Sequence, residues 1–309
     1  MNRGLRLLDG PDRRRVRRAF GTLLRPSPSL EPHLAAVVAE ATGNPGSLAR
    51  AQLIYGVATG SGLPPGDALR LATAIEYFHA ASLIFDDMPA MDDATTRRGR
   101  TCPHVAHGEA AATLGALALI TRAYALLWEA LERIPASRRR RVGALVAECL
   151  GAEGILDGQA RDVHFDRRAR ADEVLRVASG KTVPLIRLAV VLPAIASGAP
   201  ASTVRRLETL SRAWGLSYQI LDDFKDLLLT DAEAGKTTSR DRRLGRPNLP
   251  QRAGTRRAVA RLDALLAQAR VALDAARLPG RALQPLARLH DTLEGMREEV
   301  LARIGRIAA

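Results

Sequence analysis

The chain has 309 residues, with 46 Lys+Arg against 33 Asp+Glu and a formal charge of +13; that length is ample for a deep core in one large domain or two ordinary ones. Hydrophobic residues make up 47% of it but aromatics only 4%, so Ala and Leu carry the core, which favours helices and excludes an all-β fold. The two cysteines, Cys102 and Cys149, exclude a disulfide framework and fit a reducing, cytoplasmic compartment.

Residues 1–25 hold eight arginines and two acids. They read as a basic N-terminal arm, dispensable for chemistry, ahead of one domain over 26–309. Neither this arm nor Arg138–Arg141 carries the aromatic interleaving of a nucleic-acid platform. The charge therefore predicts no nucleic-acid partner and at most peripheral membrane association. No apolar run reads as a membrane span, and the Arg-rich start lacks the hydrophobic segment of a secretory signal. Only three of the basic residues are lysine, namely Lys181, Lys225 and Lys236, so each invites a question.

Helices are predicted around 30–42, 47–59, 67–88, 106–133, 137–160, 172–197, 202–229, 253–276 and 281–307, punctuated by prolines such as Pro26, Pro103, Pro135, Pro200, Pro250 and Pro279. Over 67–88, Leu69, Ala72, Ile75 and Phe78 form one apolar stripe. With no strand alternation and no dividing linker, the expectation is a single all-α bundle of about ten helices around a central cavity.

Two acidic clusters stand out: Asp86-Asp87-Met88-Pro89-Ala90-Met91-Asp92-Asp93 and Asp222-Asp223-Phe224-Lys225-Asp226. Each follows an apolar helical run, so its carboxylates repel one another and lose hydration unless a cation neutralises them. Asp222 and Asp226 are four apart and share a helix face, while Pro89 ends the first helix so that Asp92 turns back toward Asp86. Hard oxygen ligands in this arrangement suit Mg²⁺, which completes its octahedron with water and substrate phosphate oxygens. Gly-Lys-Thr occurs twice without the upstream glycine of a nucleotide-binding loop, which argues against a nucleotide triphosphatase.

With these motifs the chain resembles the trans-prenyl diphosphate synthases, or polyprenyl synthetases, from about residue 45 to 250. The resemblance rests on Asp86 through Asp93 followed by Arg97-Arg98-Gly99, on Gly158-Gln159-Ala160-Arg161-Asp162, on Gly180-Lys181-Thr182, on Gly215 through Asp226, and on Gly235-Lys236 with Leu244-Gly245-Arg246. It implies the isoprenoid synthase fold, a homodimer, and two substrates, an allylic prenyl diphosphate and isopentenyl diphosphate. It further implies three Mg²⁺ ions held by Asp86, Asp92 and Asp222 with Asp87 or Asp226 assisting, Asp223 lying within the same motif. Arg50, Arg97, Arg98, Lys181, Thr182, Gln219, Lys236 and Arg246 would surround the diphosphates.

One departure is serious. Where the family has Gly-Gly-Lys-Arg-x-Arg-Pro to bind isopentenyl diphosphate, this chain reads Pro45-Gly46-Ser47-Leu48-Ala49-Arg50-Ala51. Each missing cation would supply a charge-assisted hydrogen bond of about 1.5–3 kcal/mol. The acceptor half is therefore expected to be weakened unless Arg98, Arg100 or the basic arm substitutes. This keeps an alternative open: a diverged member acting as a terpene cyclase or transferring a prenyl group to another acceptor. For the elongating reading, small Ser82 and Ala81 below Asp86, with Phe78 and Tyr77 closing the pocket about 12–13.5 Å down the helix, predict a C20 product, geranylgeranyl diphosphate.

Overall fold

The computed structural model describes residues 5–166, 170–228 and 248–308. In chain order the helices are α1 (Gly10–Thr22), α2 (Pro32–Gly43), α3 (Ala49–Gly60) and α4 (Pro65–Asp87), then α5 (Pro103–His107), α6 (Glu109–Leu131), α7 (Ala136–Leu150) and α8 (Asp157–Val163). They continue with α9 (Ala171–Ser197), α10 (Ala201–Leu228), α11 (Leu249–Ala253), α12 (Thr255–Asp274) and α13 (Gly280–Ala308). The all-α expectation holds, and the breaks within expected helices have local causes. Gly108, at φ 87°, separates α5 from α6. The expected 137–160 helix is interrupted by a π-helical turn over Ala152–Leu156, where Gly154 leaves helical geometry. A two-residue antiparallel ladder pairs Thr96 with Thr101 (β1, Thr96–Arg97; β2, Arg100–Thr101). Its turn places Arg98 and Gly99 at φ 54° and 73°, the geometry of a tight hairpin, and it is too short to leave a period-2 pattern in the sequence.

One core runs through the bundle. α4 packs along α6, with α3 and α1 on its other sides, while α10 lies against α9 and α12. Two backbone crossings fix α9. A Cβ on Gly158 would lie 2.1 Å from the Gly180 carbonyl carbon, and one on Gly215 would lie 2.7 Å from a Val183 methyl. Only residues without side chains allow that approach. Pro184, inside α9, has no N–H for the Gly180 carbonyl, so the helix is relaxed where α8 crosses it.

By length and composition alone α6 and α9 would suffice to cross a membrane, contrary to the sequence expectation. Two-thirds of the most apolar stretch of α9 is, however, covered by the bundle.

The N-terminal segment is not an arm apart from the domain. Asp9 caps α1 by accepting from the Asp12 N–H (2.9 Å), and Pro11 occupies its first turn. The arginines of α1 face outward while Val16, Ala19 and Phe20 are buried at helical spacing. Phe20 meets Tyr77 edge to face at 5.2 Å, and the Tyr77 hydroxyl donates to the Phe20 carbonyl (2.7 Å). Leu7 is 1% exposed, and Arg122 donates to the Leu23 carbonyl (2.8 Å). The charge density of the segment conceals this anchoring stripe.

Burying Leu7, Val16 and Phe20 is worth roughly 1.5–3 kcal/mol apiece, a large share of a typical domain's stability. Removing residues 1–25 is therefore expected to lower the thermal unfolding midpoint by about 10 °C or more, or to leave the protein insoluble. An unchanged midpoint by circular dichroism would contradict this packing.

Candidate active site

α4 stops where Pro89 forbids its continuation: Met88, preceding the proline, is extended (φ −60°, ψ 153°). The chain then doubles back, and the Asp92 N–H donates to the Asp86 carbonyl (2.9 Å) while the Ala94 N–H donates to that of Asp87 (3.1 Å). The expected return of Asp92 toward Asp86 is what the backbone does.

The two adjacent aspartates differ in environment. Asp87 is 2% exposed, and Arg97 holds it in a bidentate pair, Nε to Oδ2 and Nη2 to Oδ1, both at 2.7 Å. Asp87, expected to assist a metal, and Arg97, expected at a diphosphate, satisfy each other here and together pin the hairpin to the end of α4. Cys102 lies beside the same carboxylate, and burial pushes its thiol up to about 12, which leaves no nucleophile there.

Asp86 instead shares its surroundings with Asp92, Asp162, Lys181 and Arg97. Burial, with repulsion from Asp92 and Asp162, pushes it up to about 6 despite the opposing cations. Lys181 donates to Asp162 Oδ2 (2.7 Å). Burial works against its charge, but the carboxylates of Asp162, Asp86 and Asp92 hold it above its ordinary value.

The next residue on α9 serves the other cluster. The Thr182 hydroxyl donates to Gln219 Oε1 (2.8 Å), and Gln219 Nε2 donates to Asp223 Oδ1 (2.9 Å). Asp223 also accepts from the Leu249 N–H (2.8 Å), and its backbone carbonyl accepts from the Asn248 side chain (3.0 Å). Burial, opposed by these bonds and reinforced by Asp222 and Asp226, pushes its carboxyl up to about 7. Asp223 therefore fastens the start of α11, whereas Asp222 and Asp226, four apart, share a face of α10. Lys236 and Arg246 lie outside the described residues.

Arg50, Glu76, His79 and Arg98 form a second group. Arg98 reaches the altered segment, since a Cβ on Gly46 would lie 2.4 Å from Arg98 Nη1. Leu48 is 4% exposed with φ 52°, so the expected loss of a cation there is a gain of core, and an arginine at this position would be buried. Burial and the guanidinium groups of Arg50, Arg98 and Arg97 hold His79 well below its ordinary value, hence neutral. Its Nδ1 and Arg50 Nε are buried without a partner among the described residues.

His79, Glu76 and the pairing role of Asp162 were not singled out from the sequence. Seven residues separate His79 from Asp86, two turns on one face, and that spacing was the available signal.

Along α4, at about 100° per residue, Ser82 lies about 40° and Phe78 about 80° from the direction of Asp86. Phe78 meets Tyr124 of α6 at 4.9 Å. Tyr77 is about 180° away and bonded to α1, so it does not close a pocket below Asp86. Ala81, 1% exposed, lies about 140° round.

The all-α bundle that carries these groups has the fold of an isoprenoid synthase family member from Thermotoga neapolitana, with a TM-score of 0.73 and 24% identity over 94% of this chain and 100% of that one. The chain belongs to the polyprenyl synthetase family, which residues 31–276 match. It is 35% identical to geranylgeranyl diphosphate synthase from Pantoea ananas over 70% of this chain and 70% of that protein. It is 33% identical to the chloroplastic geranylfarnesyl diphosphate synthase of Leucosceptrum canum over 60% of this chain, and spans about half, 52%, of that relative's length. Among solved structures it is similar to a geranyltransferase from Helicobacter pylori complexed with magnesium and isoprenyl diphosphate. The TM-score is 0.77 and the identity 26%, over 93% of this chain and 99% of that one.

Proposed function

We propose that this chain is a Mg²⁺-dependent short-chain prenyltransferase that condenses an allylic prenyl diphosphate with isopentenyl diphosphate. The observation that carries this reading is that consecutive residues of α9 face the two acidic clusters: Lys181 bonds Asp162 beside Asp86 and Asp92, and Thr182 bonds Gln219, which in turn bonds Asp223. The donor set fits the ion. Asp86 is raised by burial and by repulsion from Asp92 and Asp162, Asp222 and Asp226 are four apart on α10, and all are hard oxygen donors. Asp86 and Asp92 would hold ions on one side of the diphosphate and Asp222 and Asp226 on the other, three in all by family resemblance. Bound there, Mg²⁺ supplies positive charge to the diphosphate oxygens as the allylic C–O bond breaks.

The chain's own groups do the rest. Lys181 places a further cation beside Asp86 and Asp92. Thr182 and Gln219 contribute neutral hydrogen bonds and hold α9 against α10. Arg97 keeps the hairpin in place through Asp87, which delivers Arg98 to Gly46. Arg98, Arg50 and neutral His79 then receive the acceptor diphosphate where Ser47 and Leu48 supply no charge. The acceptor double bond attacks the allylic carbon, and the released diphosphate takes the final proton. The finer assignment, a C20 product, rests on small Ser82 beside the Asp86 direction and on Phe78 about 12 Å from Asp86 along the axis. A homodimer is supported by Leu114, Leu117, Tyr124 and Trp128, which expose an apolar stripe along α6, Trp128 at 68%.

Incubation with Mg²⁺ and labelled dimethylallyl, geranyl or farnesyl diphosphate, with and without isopentenyl diphosphate, tests the activity. Elongated diphosphate is expected; hydrocarbon or alcohol alone would identify a cyclase instead. Asp86→Ala and Asp222→Ala should each lower turnover by about 10³-fold or more with unchanged circular dichroism, and near-normal rates would sink the metal assignment.

Phenylalanine at Ser82, or less directly at Ala81, should shorten the product from C20 to C15, read by chromatography of the dephosphorylated alcohols. Trp128→Arg should convert a dimer into a monomer in sedimentation velocity.

A further inference from the structure

We propose that Gln52 is a positioning residue for the acceptor-diphosphate pocket, clamping the N-terminal segment onto the segment that replaces the family's basic loop; this rests on the prenyltransferase reading above. Gln52 stands in the first turn of α3 and is 1% exposed. Its Oε1 accepts from the N–H groups of Leu7 (3.0 Å) and Leu8 (3.3 Å). Its Nε2 donates to the carbonyls of Leu5 (3.0 Å) and Ser47 (2.7 Å). One carboxamide thus uses both acceptor and both donor capacities, three on the N-terminal segment and the shortest on Ser47. A side chain so completely used, between two stretches of irregular backbone, fixes their separation.

Ser47 matters because of its neighbours. Gly46 before it carries the Arg98 guanidinium on its Cα, and Arg50 follows three residues later, next to Glu76 and His79. Replacement of the family's proline by Ala51 adds a second tether. The Ala51 N–H donates to Glu76 Oε2 (3.1 Å), a bond a proline could not make. The loop that lost its own cations is therefore held from both sides, by Gln52 through the Ser47 carbonyl and by Glu76 through Ala51. Its part in acceptor binding is to keep Arg98 and Arg50 at one spacing, and the N-terminal segment becomes part of the acceptor site without touching substrate.

The segment keeps other anchors when Gln52 is changed. Leu7 remains in the core and Arg288 Nη1 donates to its carbonyl (3.1 Å), so the variants retain the fold.

The test compares the full chain with Gln52→Met, Gln52→Glu and a chain lacking residues 1–8. Steady-state kinetics are run for each substrate, and isopentenyl diphosphate binding is followed by calorimetry. Gln52→Met should raise the KM and Kd for isopentenyl diphosphate about five- to twenty-fold, with the allylic KM and kcat within about two-fold. Gln52→Glu, which keeps the acceptors for Leu7 and Leu8 but loses the donors to Ser47 and Leu5, should show the same selective effect. The truncation combined with Gln52→Met should be no worse than the more severe of the two alone, because both act through one clamp. Equal changes in both substrates, no change in either, or additive losses would overturn the inference. Should Gln52→Met fail to fold by circular dichroism, Gln52→Glu and the truncation decide by the same criteria. A wild-type chain that binds isopentenyl diphosphate without elongating would defeat the prenyltransferase reading and leave the clamp to be judged by calorimetry. One that does not bind it defeats both.

Discussion

Negative charge brought out of water at the ends of helices is the constraint around which this fold is arranged. Asp86 and Asp92 crowd the end of α4, and Asp222, Asp223 and Asp226 crowd the end of α10. Such groups are tolerable only where hydrogen bonds or cations compensate them. The chain divides its aspartates accordingly. Asp87 and Asp223 are satisfied internally, one by a guanidinium and the other by an amide side chain and a backbone N–H. They are thereby turned into fasteners for the hairpin after α4 and for the start of α11. Asp86 and Asp92 retain the electrostatic tension, relieved in part by Lys181. A satisfied aspartate beside a strained one is how a helix end becomes a rigid site rather than a repulsive cluster.

That division requires α9 to sit at one height and one rotation, because two consecutive side chains on it must reach in different directions. The contacts of Gly158 with Gly180 and of Gly215 with Val183 flank Lys181 and Thr182 on both sides. A Cβ at these crossings would force the neighbouring helix away by about 1 Å or more, enough to stretch the Lys181 and Thr182 bonds beyond hydrogen-bonding distance. Packing and chemistry are in this sense one feature: the glycines are needed less for flexibility than for the proximity that makes a buried ion pair geometrically possible.

How much of this was legible in the sequence follows from the range of each interaction. Helix positions, the turn at Pro89 and the face shared by Asp222 and Asp226 depend on local spacing and could be read directly. The partition of Asp86 from Asp87 could not, because it is decided by which of them meets an arginine ten residues later, after a hairpin of two-residue strands. The N-terminal helix was concealed by its own charge: Val16, Ala19 and Phe20 carry the correct spacing, but five arginines between positions 13 and 18 dominate the composition. Gln52 was silent for a different reason. Its four bonds run to residues five, and forty-four to forty-seven, positions away, and a lone glutamine in an apolar helix carries no local signal of such partners.

The same electrostatics explains why position 181 is a lysine. A chain that writes arginine for nearly every positive charge keeps lysine at position 181, where one ammonium faces Asp162, Asp86 and Asp92 together. A planar guanidinium pairs best with one carboxylate, edge to edge, as Arg97 does with Asp87. It would fill the space between three carboxylates and align with only one of them. An ammonium is a compact point charge with three donors that rotate freely about a flexible stem. It bonds Asp162 while its charge also acts on Asp86 and Asp92. Asp162 thus holds the lysine while the lysine offsets the charge of Asp86 and Asp92, so the cation best suited to the site is the one that commits least to any single partner.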